Sequence, residues 1–356
     1  MSHRPSQALL SIVVLSVLLA NPPTELAAQV QLGSDVYIPS PPKPTWWNSV
    51  GITFAGDKFV LSLNTNGYPL SSIDASAVRS QDFAPQIKIS GGTLETAFEH
   101  PIASSLGLGG FPCRDIYVGE GSKILHITTN GTNSDTFFNG LDGVVRVLLF
   151  DAIGTFGHSL IVATQTGSVF AIDGKGKSRL LASIGEDIKG MDVVPLATGF
   201  GPHDGQLIVL SQVSGLIRSI SSSGTVSVLN DTHRLLGGEA LFIVPLDLGK
   251  SPGQLEGLYQ IYWPLTILRA GVDELTSYRG DAIVASQLGS RRKIWRMHWN
   301  GSGFGFTPIS DFWPRVTGMT FVTPAMINPG GSCSTSPETQ TTPSRASRMF
   351  RLLLES

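Results

Sequence analysis

The chain has 356 residues, of which 40 are glycine and 22 proline, and only 15% are charged. Abundant turn residues with few charges indicate short strands joined by turns rather than long surface helices. A net charge of −2 at pH 7 excludes the broad basic surface that nucleic acid or an anionic membrane requires. We therefore expect a monomer whose partner is a small molecule, a carbohydrate or a protein.

The N-terminal segment has the pattern of an export signal. A short basic start precedes an apolar run from Ala8 to Ala20, which is short for a bilayer span and matches the core of a signal peptide. Cleavage after Ala28 would remove residues 1–28, and an uncleaved signal anchor is the alternative. The sequence predicts a secreted or periplasmic protein with no membrane span after cleavage.

Composition divides the remaining chain into three parts. We expect a proline-rich lead-in at residues 29–46, a folded body at residues 47–325 and a Ser/Thr/Pro-rich tail of low complexity at residues 326–356. The two cysteines, Cys113 and Cys333, suit an oxidising compartment. Either they form a disulfide that ties the tail to the body, or both stay unpaired.

Three similar pentapeptides indicate a repeat: IVATQ at residues 161–165, IVLSQ at 208–212 and IVASQ at 283–287. Each follows a turn and an apolar strand, and each precedes a further hairpin. Ile208 follows Ile161 by 47 residues, and Ile161 follows Ile116 by 45. A four-stranded unit repeated at this spacing is typical of a β-propeller blade.

The third repeat contains an insertion. Ile283 follows Ile208 by 75 residues, 28 more than the 47 of the preceding repeat, and residues 249–278 supply the difference. The sequence therefore predicts an all-β protein, a six-bladed β-propeller of four-stranded antiparallel blades. Its closing blade is shared between the two ends of the chain; five or seven blades are the alternatives.

The repeated glutamines suggest a ligand-binding face. In an antiparallel blade the second strand ends on the face where the first begins, so Gln165, Gln212 and Gln287 should lie together, with Glu120 in the matching place. Lys189, just before Gly190, is a further ligand-binding candidate. The alternative is structural, because side chains at strand ends also satisfy turn backbone groups.

Residues 141–179 resemble the calcium-dependent six-bladed propellers of the gluconolactonase and senescence-marker type. In that family the residue before the opening glycine often supplies a metal ligand, and Asp142 occupies this position in LDGVV. The resemblance implies calcium held by Asp142 and hydrolysis of a lactone. Apart from the resemblance, Glu120 and Asp142 could form a catalytic carboxylate pair across the channel mouth. The alternative is that both are solvated turn residues.

A second stretch, YRGDAIVASQLGS at residues 278–290 followed by KIWRM and VTGMTFV, is similar to the late blade of soluble quinoprotein dehydrogenases of the glucose and sorbosone type. This resemblance implies pyrroloquinoline quinone as cofactor, and those enzymes use a histidine base. We expect His158 and His203 on the opposite face.

Aromatic residues mark the insertion, among them Tyr259, Tyr262 and Trp263. Exposed, they would form a contact for a carbohydrate or a protein; buried, they would serve packing. The sequence favours a binding module for a small molecule, carbohydrate or protein at the channel face. A lactonase-like hydrolase and a quinoprotein-type sugar dehydrogenase are the alternatives, so whether the protein is an enzyme stays open.

Overall fold

The computed structural model describes residues 35–38, 49–63, 70–75, 80–87, 100–251, 255–262, 266–288, 291–310, 316–328 and 333. Within these residues the strands form six four-stranded antiparallel sheets. They are the blades of a six-bladed β-propeller, so the predicted fold class and blade number are confirmed.

Four blades are built from consecutive strands, each numbered from the channel outward. Blade 1 contains β2 (Ser49–Phe54), β3 (Lys58–Leu63), β4 (Leu70–Asp74) and β5 (Ser80–Phe83). Blade 2 contains β6 (Ile102–Leu106), β7 (Cys113–Glu120), β8 (Lys123–Ile127) and β9 (Ser134–Asn139). Blade 3 contains β10 (Val145–Phe150), β11 (Leu160–Thr164), β12 (Ser168–Ile172) and β13 (Ser178–Ser183). Blade 4 contains β14 (Ile188–Val193), β15 (Leu207–Ser211), β16 (Ile217–Ile220) and β17 (Val226–Val228).

Blade 5 and the closing blade are interleaved. Blade 5 contains β18 (Gly238–Ile243), β21 (Ala282–Leu288), β22 (Arg291–Trp299) and β23 (Phe304–Ser310). The closing blade contains, from the channel outward, β24 (Val316–Val322), β19 (Gly257–Tyr262), β20 (Thr266–Ala270) and β1 (Asp35–Ile38). The helices are α1 (Val272–Leu275) and α2 (Pro324–Ile327), with 3-10 turns at Gly201–His203 and Thr276–Tyr278.

The closing blade contains strands from near both ends of the chain, as predicted, but its two middle strands, β19 and β20, were not predicted. The insertion supplies the hairpin β19–β20, which lies between β24 and β1. Blade 1 is a complete sheet of its own and contributes no strand to the closing blade. The expected lead-in at residues 29–46 also contains β1, so the propeller begins before residue 47.

The core lies between neighbouring blades. The second strands β11 and β15 are buried along their whole length, because their two faces pack against the blades on either side. Between blades 4 and 5, for example, Ile208 and Leu210 pack with Leu241 and Val284. Such apolar runs explain why the second strands carry the repeat most clearly.

The C-terminal end is attached to blade 2. Cys333 forms a disulfide with Cys113, with the two Cα atoms 5.1 Å apart. Arg114 Nη2 donates to the Ile327 carbonyl at 3.3 Å. The described residues after β24, up to Cys333, are therefore held against blade 2. None of the helices in the described residues has the length and apolar composition to cross a membrane.

Candidate functional site

The six inner strands surround a central cavity of about 530 Å³. Every blade contributes to its wall through β2, β6, β10, β14, β18 or β24. All six strands run in the same sense, from the face of the repeated glutamines (the glutamine face) to the opposite face. Equivalent positions of different blades therefore lie at the same depth.

Glycine allows two of these strands to approach their neighbours closely. A Cβ atom at Gly190 would lie 2.5 Å from the backbone nitrogen of Leu241 in the next blade. One at Gly51 would lie 2.6 Å from the carbonyl oxygen of His100. The segments VGITF and IKGMDV thus contain glycine because a larger residue would collide with the neighbouring blade, and not because the backbone makes a turn at that position.

One ring of six side chains, at the same depth in all six blades, lines the middle of the cavity. It consists of the fifth residue of five inner strands and the equivalent residue of β6. All six line the cavity: Thr53, Ser104, Leu149, Asp192, Phe242 and Thr320. Neighbouring blades are linked at this depth, since the Ser104 N–H donates to Thr53 Oγ1 at 3.1 Å. The ring holds one ionisable group, Asp192, between two apolar side chains.

Asp192 is half-buried and carries one hydrogen bond on each oxygen. The Val193 N–H donates to Oδ1 at 2.8 Å, and the Ile243 N–H of the next blade donates to Oδ2 at 2.8 Å. Burial raises the pKa of Asp192 to about 7, although both N–H donors act to lower it. No Lys, Arg or His of the described chain forms an ion pair with it.

The glutamine face of the cavity is lined by side chains of both charges. The pairing register shifts between the first and third residues of β10, β14 and β18, which marks a bulge at the second residue. Those second residues are Arg146, Lys189 and Glu239, and all three line the cavity. Arg146 makes a bidentate ion pair with Asp187, at 3.1 and 3.0 Å.

The opposite mouth has a different lining. It is formed by loops after the inner strands, including Pro195, Leu246, Ala325 and Met326, all apolar. Leu246 is 41% exposed, so it adds apolar surface to this mouth. Between the ring and this mouth, the described lining has two charged side chains, Asp192 and Asp247.

The predicted glutamines mainly close the turns of their blades. The backbone N–H groups of Gln165, Gln212 and Gln287 donate to the residues that precede the neighbouring inner strand, at 2.8, 2.9 and 2.6 Å. They share one face, but of the predicted ligand-binding residues only Lys189 belongs to the described cavity lining. Gln165 is exposed, whereas Gln287 Oε1 is buried with no hydrogen-bond partner within the described residues.

Asp142 is surrounded by hydroxyl groups of its own blade. Thr164 and Thr166 donate to Oδ1, both at 3.1 Å, and Ser168 donates to Oδ2. Desolvation acts to raise the pKa of Asp142, but these hydrogen bonds outweigh it and the pKa lies below its ordinary value. Both carboxylate oxygens are thus already used.

This environment does not fit the calcium ion implied by the resemblance. A calcium site needs six or more oxygen ligands, and the described residues contain no cluster of three His, Cys, Asp or Glu side chains that could hold a metal. Glu120, the proposed carboxylate partner, forms an ion pair with Lys123 at 3.0 Å. We therefore derive no metal-dependent step from these residues.

The remaining predicted sites fall outside the channel or outside the described residues. His158 and His203 lie in loops of the opposite face; His158 Nδ1 contacts the Asp151 carbonyl at 3.0 Å, and His203 Nδ1 contacts Gln206 Oε1 at 3.2 Å. Neither belongs to the cavity lining, so the residues do not form the histidine base that a quinone cofactor requires. Trp263 and the side chain of Tyr262 are not described.

The insertion aromatic that can be described serves packing. Tyr259 is fully buried, its ring centroid lies 4.7 Å from that of Phe59, and its hydroxyl donates to the Leu255 carbonyl at 2.8 Å. Of the two interpretations of the aromatic insertion, packing therefore holds at this residue.

Sequence reasoning missed Asp192. In IKGMDVVPL an aspartate follows Met191 and precedes two valines, and a charged residue beside such an apolar run is unusual enough to note. Its position could be found only by aligning the inner strands of all six blades.

No protein-family model and no curated protein sequence matches the chain. A streptogramin B lyase structure is similar at 11% identity over 79% of this chain and 73% of that chain, with a TM-score of 0.45. A virginiamycin B lyase from Staphylococcus aureus is similar at 12% identity over 76% and 72%, with a TM-score of 0.46. A protein of unknown function from Bacteroides caccae is similar at 10% identity over 77% and 86%, with a TM-score of 0.45.

Identities this low concern the fold alone. Both resemblances seen in the sequence therefore stay predictions.

Proposed function

We propose that this protein is an exported, monomeric binding module that takes a small, mostly apolar molecule into its central channel. The observation that carries this proposal is the cavity of about 530 Å³, walled by six rigid strands. Ligand sites in proteins are commonly of this size, mostly apolar, with a few fixed polar groups. Leu149 and Phe242 supply apolar surface here, and Thr53, Ser104 and Asp192 supply polar contacts.

The compartment is part of the proposal. The disulfide Cys113–Cys333 supports an oxidising environment, in agreement with the expected signal peptide. Mass spectrometry of the secreted chain would test cleavage after Ala28, and size-exclusion chromatography would test the monomer.

The experiment that tests the binding site uses the neutral apolar dye N-phenyl-1-naphthylamine, whose fluorescence rises in an apolar cavity. We expect saturable binding of one dye per chain. The variant Leu149→Trp fills the cavity at the depth of the ring and should weaken binding at least ten-fold. Leu180→Trp, at a side chain 54% exposed on β13, is the matched control and should bind as the wild type does.

A second variant covers the case in which a tryptophan in the ring disturbs folding. Ala325 is exposed and lies at the opposite mouth, so Ala325→Trp obstructs the mouth without crowding the core. We expect slower dye entry with unchanged thermal stability. Equal dye binding by Leu149→Trp, Ala325→Trp and the control would show that the dye binds elsewhere and would overturn the proposal.

A further inference from the structure

The inference rests on the proposed function and specifies its ligand: we propose that the channel binds an apolar molecule carrying one protonated amino group, with Asp192 as its counter-ion. The position of this carboxyl group supports the proposal. It lines the cavity at the ring depth, and its neighbours on either side in the ring are Leu149 and Phe242. A ligand at this depth meets one carboxyl group between two apolar surfaces.

The distribution of charge along the channel favours a cation in this half. The two cationic side chains of the described lining, Arg146 and Lys189, are at the glutamine face. Lys189 precedes Asp192 by three residues, which is about 10 Å along a strand. Arg146 is already paired with Asp187. From Asp192 to the opposite mouth, the other charged residue of the described lining is Asp247, which is also acidic.

The hydrogen bonds of Asp192 also favour a cationic partner. Both N–H donors point at the carboxylate oxygens and so stabilise the anion once it forms. What keeps the carboxyl group partly protonated is desolvation without a counter-charge. An ammonium group supplies that counter-charge and can occupy the remaining lone pairs, and ion pairs in such surroundings are stronger than in water. A carboxylate ligand would be repelled by both Asp192 and Asp247.

The test compares three displacers of N-phenyl-1-naphthylamine that share one alkyl chain: octylammonium, octanol and octanoate. At pH 8.5 we expect octylammonium to displace the dye at a concentration at least ten-fold lower than octanol does, and octanoate to be the weakest. A charge-assisted hydrogen bond is consistent with a difference of this size. Equal displacement by octylammonium and octanol would overturn the inference.

The pH dependence gives an independent result. Octylammonium keeps its charge between pH 5.5 and 8.5, whereas Asp192 ionises within this range. The other ionisable side chains that face the described cavity are Arg146, Lys189, Glu239 and Asp247, and the variant described below separates their contribution from that of Asp192. We expect the octylammonium affinity to rise about ten-fold from pH 5.5 to 8.5 and the octanol affinity to stay flat. A falling octylammonium affinity would contradict the inference.

The variant Asp192→Asn assigns the effect to this residue. It should abolish both the preference for octylammonium and its pH dependence, and circular dichroism of the variant checks that the fold is intact. Asp231→Asn, at a side chain 79% exposed, is the matched control and should behave as the wild type does. If the wild type binds no dye, the proposed function fails; if it binds dye without preferring octylammonium, only this inference fails.

Discussion

Blade 3 and the closing blade have the same four-stranded architecture but are assembled from the chain in opposite ways. Blade 3 uses one continuous stretch, from Val145 to Ser183. The closing blade combines β24, the hairpin β19–β20 from within blade 5, and β1 from near the N-terminus. The first can form from local contacts, whereas the second forms only when distant segments meet, which costs more chain entropy. The closing blade should therefore be the part that depends most on long-range restraints.

The largest expected effect tests this dependence through the disulfide. The pair Cys113→Ser and Cys333→Ser removes a cross-link between residues 220 positions apart. Long closed loops restrict the unfolded chain most, so we expect the free energy of unfolding to fall by about 4 kcal/mol. Urea denaturation of the oxidised wild type and the double variant measures the difference. A loss under 1 kcal/mol would show that the ring closes without this restraint.

A matched pair of core variants compares the two blades directly. Ile261 in β19 and Ile161 in β11 are both fully buried, and truncation of either to alanine should cost about 3 kcal/mol. We expect Ile261→Ala to open the closing blade locally, and Ile161→Ala to lower the stability of the whole ring. Hydrogen exchange read strand by strand distinguishes them. Identical exchange patterns in the two variants would mean that the ring unfolds as one unit.

A smaller effect concerns polar contacts within a single continuous blade. His126 on β8 contacts Asp115 and Asp135, each at 2.7 Å. The hydrogen bond to Asp115 raises the pKa of His126, and the one to Asp135 adds to this effect. Desolvation acts in the opposite direction but does not outweigh them. The resulting stability is therefore fully present below the ordinary pKa of about 6.5 and is lost as pH rises through the higher folded pKa.

Substitution of His126 should remove that pH dependence. We expect His126→Gln to cost only about 1 kcal/mol at pH 5.5, because Asp135 is exposed and its charge is screened by solvent. The cost should be smaller at pH 9, because the imidazole no longer carries a charge there. The pH profile of the midpoint of urea unfolding measures this. The same cost at both pH values would show that His126 contributes only by packing.

The smallest effect belongs to Asp142 in blade 3. Its three hydroxyl partners lower its pKa, so its contribution to stability exists above the ordinary aspartate pKa and disappears as pH falls through the lower folded value. Asp142→Asn should cost about 0.5–1 kcal/mol at pH 7 and less at pH 2, where more of the carboxyl group is protonated. Unfolding of both proteins at the two pH values checks this. Calorimetric titration with calcium adds a second readout, and calcium binding lost in the variant would revive the lactonase interpretation.

Blade number and the continuous blades could be predicted because each second strand is buried on two faces. Burial of that kind demands an apolar run such as IVATQ or IVLSQ, and the same demand recurs in every blade. The position of the insertion was predicted but its two strands were not, since their pairing partners β24 and β1 lie far from them along the chain.

The sequence by itself determined the all-β class, the repeat and the face on which the glutamines lie, because these follow from alternation, turn residues and strand direction. Only the tertiary structure decided that the insertion completes the closing blade. It also decided that Asp192, rather than Asp142, faces the channel. The physical reason is that the channel wall consists of equivalent positions from six strands that are distant in the chain. The residues beside Asp192 in the sequence therefore do not tell whether its carboxyl group is desolvated or has a cation nearby.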